Sequence, residues 1–302
     1  MDTLIIVLGP TGVGKSEISV KLAKYFNTEI ISADSRQFFK ELSIGTAVPP
    51  TEDLLEVPHH FIQNKSIHQY YNVSEFETDT LNLLQVLFKR INPVILTGGS
   101  MLYIDTICKG IDDIPTVNPE IRKSVIQWYE THGLEALRER LLELDPEYYT
   151  TVDLNNPKRI LHAVEVCEMT GKTFTSFRTQ TVRTRPFRII KIGINQDRKV
   201  LYERINQRVL KMMDASLLEE AKSVYSFRHL NSLNTVGYKE LFTYLDGECT
   251  LYEAIDLIQR NSRKYARKQL TWFRRDPEIV WFEPSQLQQI IEYLTLQLNG
   301  NE

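Results

Sequence analysis

Gly9-Pro10-Thr11-Gly12-Val13-Gly14-Lys15-Ser16 spells G-x-x-x-x-G-K-[ST] between a short apolar run, Leu4 to Leu8, and an amphipathic segment that starts at Lys15. Its placement carries as much weight as its spelling. A glycine-rich turn between a strand and a helix aims backbone N–H groups at one anion, while the lysine neutralises terminal phosphates. A serine at the helix start can ligate Mg²⁺. Gly9 through Ser16 is therefore read as a di- or triphosphate cradle with Lys15 as its charge and Ser16 as the Mg²⁺ ligand. Kinases, ATPases, GTPases and transferases that release diphosphate all use such a loop, so alone it suits ATP as well as an organic diphosphate.

Two further turns follow apolar runs. Asp34-Ser35-Arg36-Gln37 comes after Glu29 to Ser32, and Gly98-Gly99-Ser100 after Val94 to Thr97. An ATPase usually ends such a strand in an acidic Mg²⁺ partner, and Val94-Ile95-Leu96-Thr97 lacks one, which disfavours a motor or switch. Ligands of open α/β sheets bind beyond the carboxyl ends of the strands, where these three turns should converge. Asp34 is then placed as a general base toward an acceptor and Ser100 as the group that orients it. The competing readings are a turn residue for Asp34 and a helix cap for both.

The elements that must hold these turns are legible as well. Leu4 to Leu8, Glu29 to Ser32, Val94 to Thr97, Arg188 to Ile194 and Ile279 to Phe282 are apolar nearly throughout, the mark of strands buried on both faces of a parallel sheet. Lys15 to Phe26 and Val73 to Ile91 repeat apolar residues at helical spacing, so strand, helix and strand alternate. After Gly110 the pattern changes. A segment with Pro115 and Pro119 leads into amphipathic stretches at Pro119 to His132, Leu134 to Leu144 and Pro157 to Met169, with no strand among them. The fold class expected is α/β: a P-loop three-layer core with a parallel sheet, formed by residues 1–112 and 188–302, carrying an inserted all-helical domain at 113–187.

The 302 residues, 42% of them apolar, suffice for a real core. Cys108, Cys167 and Cys249 lie far apart without ligand spacing and read as reduced core residues of a cytoplasmic protein. His59 and His60 are adjacent, so they point apart and suggest a structural role rather than a metal pair. No apolar run reaches the length of a membrane span, and no membrane partner is expected. A monomer is the default expectation. The net charge of −3 hides strong local bias. Between Asn156 and Lys191 stand Lys158, Arg159, Lys172, Arg178, Arg183, Arg185, Arg188 and Lys191 against only Glu165 and Glu168. Arg260, Arg263, Lys264, Arg267, Lys268, Arg274 and Arg275 are interleaved with Tyr265, Trp272 and Phe273, of which Trp272 and Phe273 read as core. Such clusters suit the phosphates of RNA, with aromatics to stack on unpaired bases.

Taken together with Pro58-His59-His60, Met101-Leu102-Tyr103 after Ser100, Thr170-Gly171-Lys172, Gly237-Tyr238 and Arg267-Lys268-Gln269 before Thr271-Trp272-Phe273-Arg274, these motifs run nearly end to end. In that order and spacing the chain resembles the tRNA dimethylallyltransferases. The resemblance implies dimethylallyl diphosphate in the cradle and transfer of its allyl group to N6 of adenine 37 in the anticodon stem-loop of tRNA. It implies that Asp34 takes the N6 proton, that Ser100 steers the amine, and that Arg208 reaches the diphosphate rather than lying on a solvated helix face. It assigns tRNA contact to Asp34, Ser35, Arg36, Gln37, Ser100, Arg122, Lys158, Arg159, Ile160, Leu161 and His162. It also implies that the base flips out of its stack to be reached.

Three departures from the family pattern stand out. Ser100 replaces a usual threonine and keeps the hydroxyl, Lys158 to His162 replaces Gln-Arg-x-x-Arg, and Ser216 replaces a glycine. A small-molecule phosphotransferase would use the same loop with Asp34 as base but leaves the basic segments unused. An RNA-binding protein regulated by nucleotide leaves Asp34 and Ser100 unexplained, and prenyl transfer to free adenine nucleotides is disfavoured by the basic segments.

Overall fold

The computed structural model describes residues 1–179 and 181–300. Six strands form one parallel sheet: β1 (Thr3–Leu8), β2 (Ile30–Ser32), β3 (His59–His60), β4 (Val94–Gly98), β5 (Arg188–Ile194) and β6 (Val280–Phe282), in the order β3-β2-β4-β1-β5-β6. Between β1 and β4 run the helices α1 (Lys15–Tyr25), α2 (Thr51–Glu56) and α3 (Val73–Leu87), and α4 (Met101–Lys109) follows β4. Alternate residues of β1 explain the layers. Ile5 and Val7 pack with Ile18, Leu22, Leu201 and Ile290 on one face, whereas Leu4, Ile6 and Leu8 pack with Phe76, Leu84, Ile104 and Ile107 on the other. Both faces are covered, hence the continuous apolar runs.

The edge strand β3 was not expected. Two residues leave no periodicity to read, and their side chains serve local structure: His59 Nδ1 meets Val57 O at 2.7 Å and His60 Nε2 meets Glu29 Oε2 at 2.7 Å.

The chain divides into two compact units, residues 1–108 with 184–302 and residues 109–183, each boundary four residues earlier than the prolines suggest. The second unit holds α5 (Pro119–Leu144), α6 (Pro146–Thr151) and α7 (Pro157–Thr170) around Val125, Leu137, Leu141, Ile160 and Val164. Gly133, at φ 80° and ψ −176°, breaks α5 where two helices were expected. Each of the three begins with proline in its first turn behind a side-chain cap, Asn118, Asp145 or Asn156.

The first unit continues with α8 (Arg198–Asp214), α9 (Leu217–Val224), α10 (Tyr238–Leu245), α11 (Leu251–Phe273) and α12 (Leu287–Asn299). Ser216, the serine at a family glycine, keeps the left-handed backbone a glycine would adopt, at φ 75° and ψ 35°, and caps α9 with no side-chain hydrogen bond. A Cβ in that region costs energy and here gains no bond in return. Ser216→Gly is expected to raise stability by about 1 kcal/mol, or roughly 1–2 °C in Tm, in a thermal melt. An unchanged or lowered Tm would contradict this reading.

Candidate active site

Sheet register brings the three turns together. Thr97 pairs with Val7 on one side and with Ser32 on the other, so the residues that follow all three strands leave the sheet at one level. At the first turn, Gly9 has φ 150°, and a Cβ there would lie 2.3 Å from Ile194 O at the end of β5, so only glycine lets the loop start against the neighbouring strand. Lys15 opens α1 and donates to Pro10 O at 2.8 Å. Burial and the positive field of Arg208 lower its pKa to about 7, while Asp34 opposes them. Ser16 is exposed in the first turn of the same helix.

At the second turn, Asp34 makes the local bond of a turn residue and also lines a cavity. Its Oδ1 accepts the Arg36 N–H at 2.9 Å, which fixes the carboxylate while it faces a cavity. Ser100, 8% exposed, spends its hydroxyl on bridging rather than capping: Oγ accepts the Ser35 N–H at 2.9 Å, and Tyr265 lines the same cavity. Burial pushes Tyr265 up to about 12, so it stays a neutral phenol at physiological pH. Gln37 turns inward, its Oε1 accepting from Ser32 and its Nε2 donating to Ala47 O at 3.0 Å, and so shapes the loop rather than offering its amide to a ligand.

Thr11, Asp34, Ser35, Arg36, Ser100 and Arg208 line one cavity of about 330 Å³. Ile205, Val209, Met212, Leu217, Val236 and Ile258 give it an apolar wall. Arg208 is half-buried on α8, within 3.4 Å of Thr11 Oγ1, which removes the solvated-face reading. Two contributors had no role assigned from sequence, although Gln269 stands in the Arg267-Lys268-Gln269 motif. Gln269, on α11, accepts from Thr11 N and donates to Gly99 O. Glu220, on α9, accepts from the backbone N–H groups of Ser43, Ile44 and Gly45 at 2.8, 2.8 and 2.9 Å and from the Tyr238 hydroxyl, thereby holding the Gly45 and Thr46 wall. Neither role can be read from local spacing, because each side chain acts on backbone far away in the chain.

The basic clusters are smaller than their sequence suggests. Arg185 is buried against Glu77, Lys191 is 7% exposed and bonded to Asp276 and Glu278, and Arg188 reaches Gln297. Arg185 and Lys191 are thereby committed to the core, and Arg188 is engaged on Gln297. In the helical unit Lys158 and Arg159 are exposed at the start of α7. Ile160 is fully buried, which leaves its side chain no surface for RNA; Leu161 is half-buried, and His162 packs edge-on against Phe174 with ring centroids 5.5 Å apart. Arg122 pairs with Glu165 at 3.4 Å. On α11, Arg260, Lys264, Arg267 and Lys268 are exposed, while Phe273 is buried and Trp272 donates to Asp105 at 2.8 Å.

As for Mg²⁺, no cluster of three carboxylate, histidine or cysteine side chains exists among the described residues. The donor set offered is the single exposed Ser16 hydroxyl beside Lys15. That fits an ion which keeps several waters and takes its remaining oxygens from a substrate diphosphate. No helix among the described residues is long and apolar enough to cross a membrane.

Comparison with known proteins places the chain in a family. The chain is 59% identical to tRNA dimethylallyltransferase 1 of Phocaeicola vulgatus over 97% of its length and 98% of that protein. It is 49% identical to the tRNA dimethylallyltransferase of Christiangramia forsetii over 98% of both. The crystal structure of the tRNA isopentenylpyrophosphate transferase of Bacillus halodurans superimposes with a TM-score of 0.73 at 34% identity, covering 99% of this chain and 98% of that one. With the family model for IPP transferase matching residues 37–276 besides, the chain belongs to the IPP transferase family.

Proposed function

We propose that the chain is a cytoplasmic, Mg²⁺-dependent enzyme that moves a dimethylallyl group from dimethylallyl diphosphate to N6 of adenine 37 in tRNA. The observation that carries this is one cavity shared by a polyanion end, Thr11 and Arg208 with Lys15 behind them, an acceptor end, Asp34 and Ser100, and an apolar wall between α8 and α11. A kinase would need the first two but has no use for the third.

An allylic diphosphate ionises once its leaving group is neutralised. Lys15, Arg208 and the loop N–H groups stabilise the charge that grows on the diphosphate as the C–O bond breaks. Mg²⁺ held by Ser16 would add Lewis-acid neutralisation of the same oxygens. Asp34, oriented by the Arg36 N–H, accepts the N6 proton as the nitrogen lone pair bonds to carbon. Ser100 sits where it can orient that amine, its Oγ position fixed from Ser35. The apolar wall shields the carbocation-like carbon from water.

The test is incubation with Mg²⁺, labelled dimethylallyl diphosphate and unmodified tRNA bearing A36-A37-A38, with AMP and ATP as alternative acceptors. Label is expected in tRNA alone, and its absence there would sink the proposal. Binding of tRNA is carried by Lys158, Arg159 and the exposed cations of α11, so its affinity should fall by roughly 0.7–0.9 log units per phosphate contact per decade of salt. Lys158→Ala with Arg159→Ala should flatten that slope by about one to two units in salt titrations. An unaltered slope would remove both residues from the footprint.

A further inference from the structure

Resting on the prenyl-transfer reading, we propose that Gln269 is a positioning residue that sets the separation of the donor cradle and the acceptor side of the site. Its side chain is 1% exposed and has both ends engaged on backbone from two different strand-end turns. Oε1 accepts the Thr11 N–H at 2.8 Å, and Nε2 donates to Gly99 O at 2.7 Å. Thr11 belongs to the phosphate loop, and Gly99 immediately precedes Ser100. One planar amide therefore spans the two halves of the reaction. A Cβ at residue 99 would lie 2.4 Å from Nε2, so glycine there is what lets the amide reach. The strut is itself anchored, because Ala266 and Phe273 on the same helix are buried in the two core layers flanking the sheet.

Alignment matters unusually in this chemistry. The C1–O bond of the donor breaks with its electron pair leaving on diphosphate, the N6 lone pair forms the C1–N6 bond, and the N6 proton passes to Asp34. If the acceptor side shifts while the diphosphate still departs, a water oxygen bonds to the allyl carbon and loses its proton to solvent. The products are then a five-carbon alcohol and diphosphate. Misalignment is thus readable as diphosphate released in excess of prenylated tRNA, a ratio that mere loss of folded protein does not change.

The experiment compares the unsubstituted chain with Gln269→Leu and Gln269→Glu, all with Mg²⁺, dimethylallyl diphosphate and tRNA, with folding checked by circular dichroism. Leucine removes both bonds. Glutamate keeps the acceptor for Thr11 N–H but sets an oxygen against Gly99 O, and decides the matter if the leucine variant does not fold. Transfer should fall about 10- to 100-fold, with the ratio of diphosphate to prenylated tRNA rising from one to several. A folded variant within twofold of the native rate overturns the proposal, as does slower transfer with the ratio still at one. Failure of both variants to fold would make Gln269 a folding determinant and likewise overturn it. If the native chain itself does not prenylate tRNA, the failure lies with the functional reading instead.

Discussion

Asp34→Ala is expected to bind tRNA and inorganic diphosphate as the native chain does and to transfer the prenyl group roughly 10²–10⁴-fold more slowly. The carboxylate faces the cavity beside Ser100, and its hydrogen bond is a local one from Arg36 N–H, two residues along its own chain. Its loss also removes a field that raises the Lys15 pKa, so diphosphate binding is compared at about pH 6, where that field matters least. The diphosphate groups, Thr11, Lys15 and Arg208, are positioned by α1, α8 and Gln269, not by Asp34. The expected signature is therefore a drop in kcat with KM for the donor changed little. Asp34→Asn should behave alike, since an amide keeps the turn but takes no proton from N6. Single-turnover transfer by either variant at the native rate would remove Asp34 as the base and leave it a turn residue.

Lys15→Met should lose roughly 10²–10³-fold in transfer, and it should also change how the protein responds to pH. Lys15 in the free chain is lowered to about 7 by burial and by Arg208. A diphosphate placed against it favours the ammonium, so the bound-state pKa must be higher and binding takes up a proton above pH 7. Donor affinity should then fall by up to about tenfold per pH unit as pH rises above 7. Calorimetry of diphosphate binding at pH 8 in buffers of different ionisation enthalpy reads this uptake directly. No uptake in the native chain, or equal uptake in Lys15→Met, would refute the assignment.

The stability of the free chain carries the opposite sign. The unfolded lysine, at its ordinary value near 10.5, holds more protons than the folded one between pH 7 and that value. Stability therefore rises with pH across this window and is lowest where both forms are protonated, below 7. In Lys15→Met that component of the slope should vanish in urea titrations at pH 7 and 9.

Much of the site could be read before any coordinates because it is made of local grammar. The phosphate loop is contiguous, its glycines answer to backbone geometry, and the central strands β1 and β4 announce themselves by apolar runs that a sheet covered on both faces explains. Asp34 and Ser100 were legible for a similar reason, since strand ends of a parallel sheet converge. The break at Gly133 and the proline-led helices of residues 109–183 likewise follow from capping and φ preferences of a few neighbouring residues.

Other features depended on partners distant in the chain. Charge counted along the sequence placed Arg185, Arg188 and Lys191 in an RNA footprint, yet Arg185 and Lys191 are buried against Glu77, Asp276 and Glu278, and the half-buried Arg188 is hydrogen-bonded to Gln297. Ile160 sits in a basic segment but turns inward, because a helix presents one face in three or four residues to its core. The phosphate loop, the strand ends and the helical insert were determined by the sequence alone, through short-range sterics and hydrophobic periodicity. Only the tertiary structure decided which charges remain at the surface, and that Gln269, 258 residues from Thr11, ties the phosphate loop to the turn before Ser100. A hydrogen bond between a buried amide and backbone leaves no periodicity and no spacing rule, and so has no trace in sequence until the chain is folded.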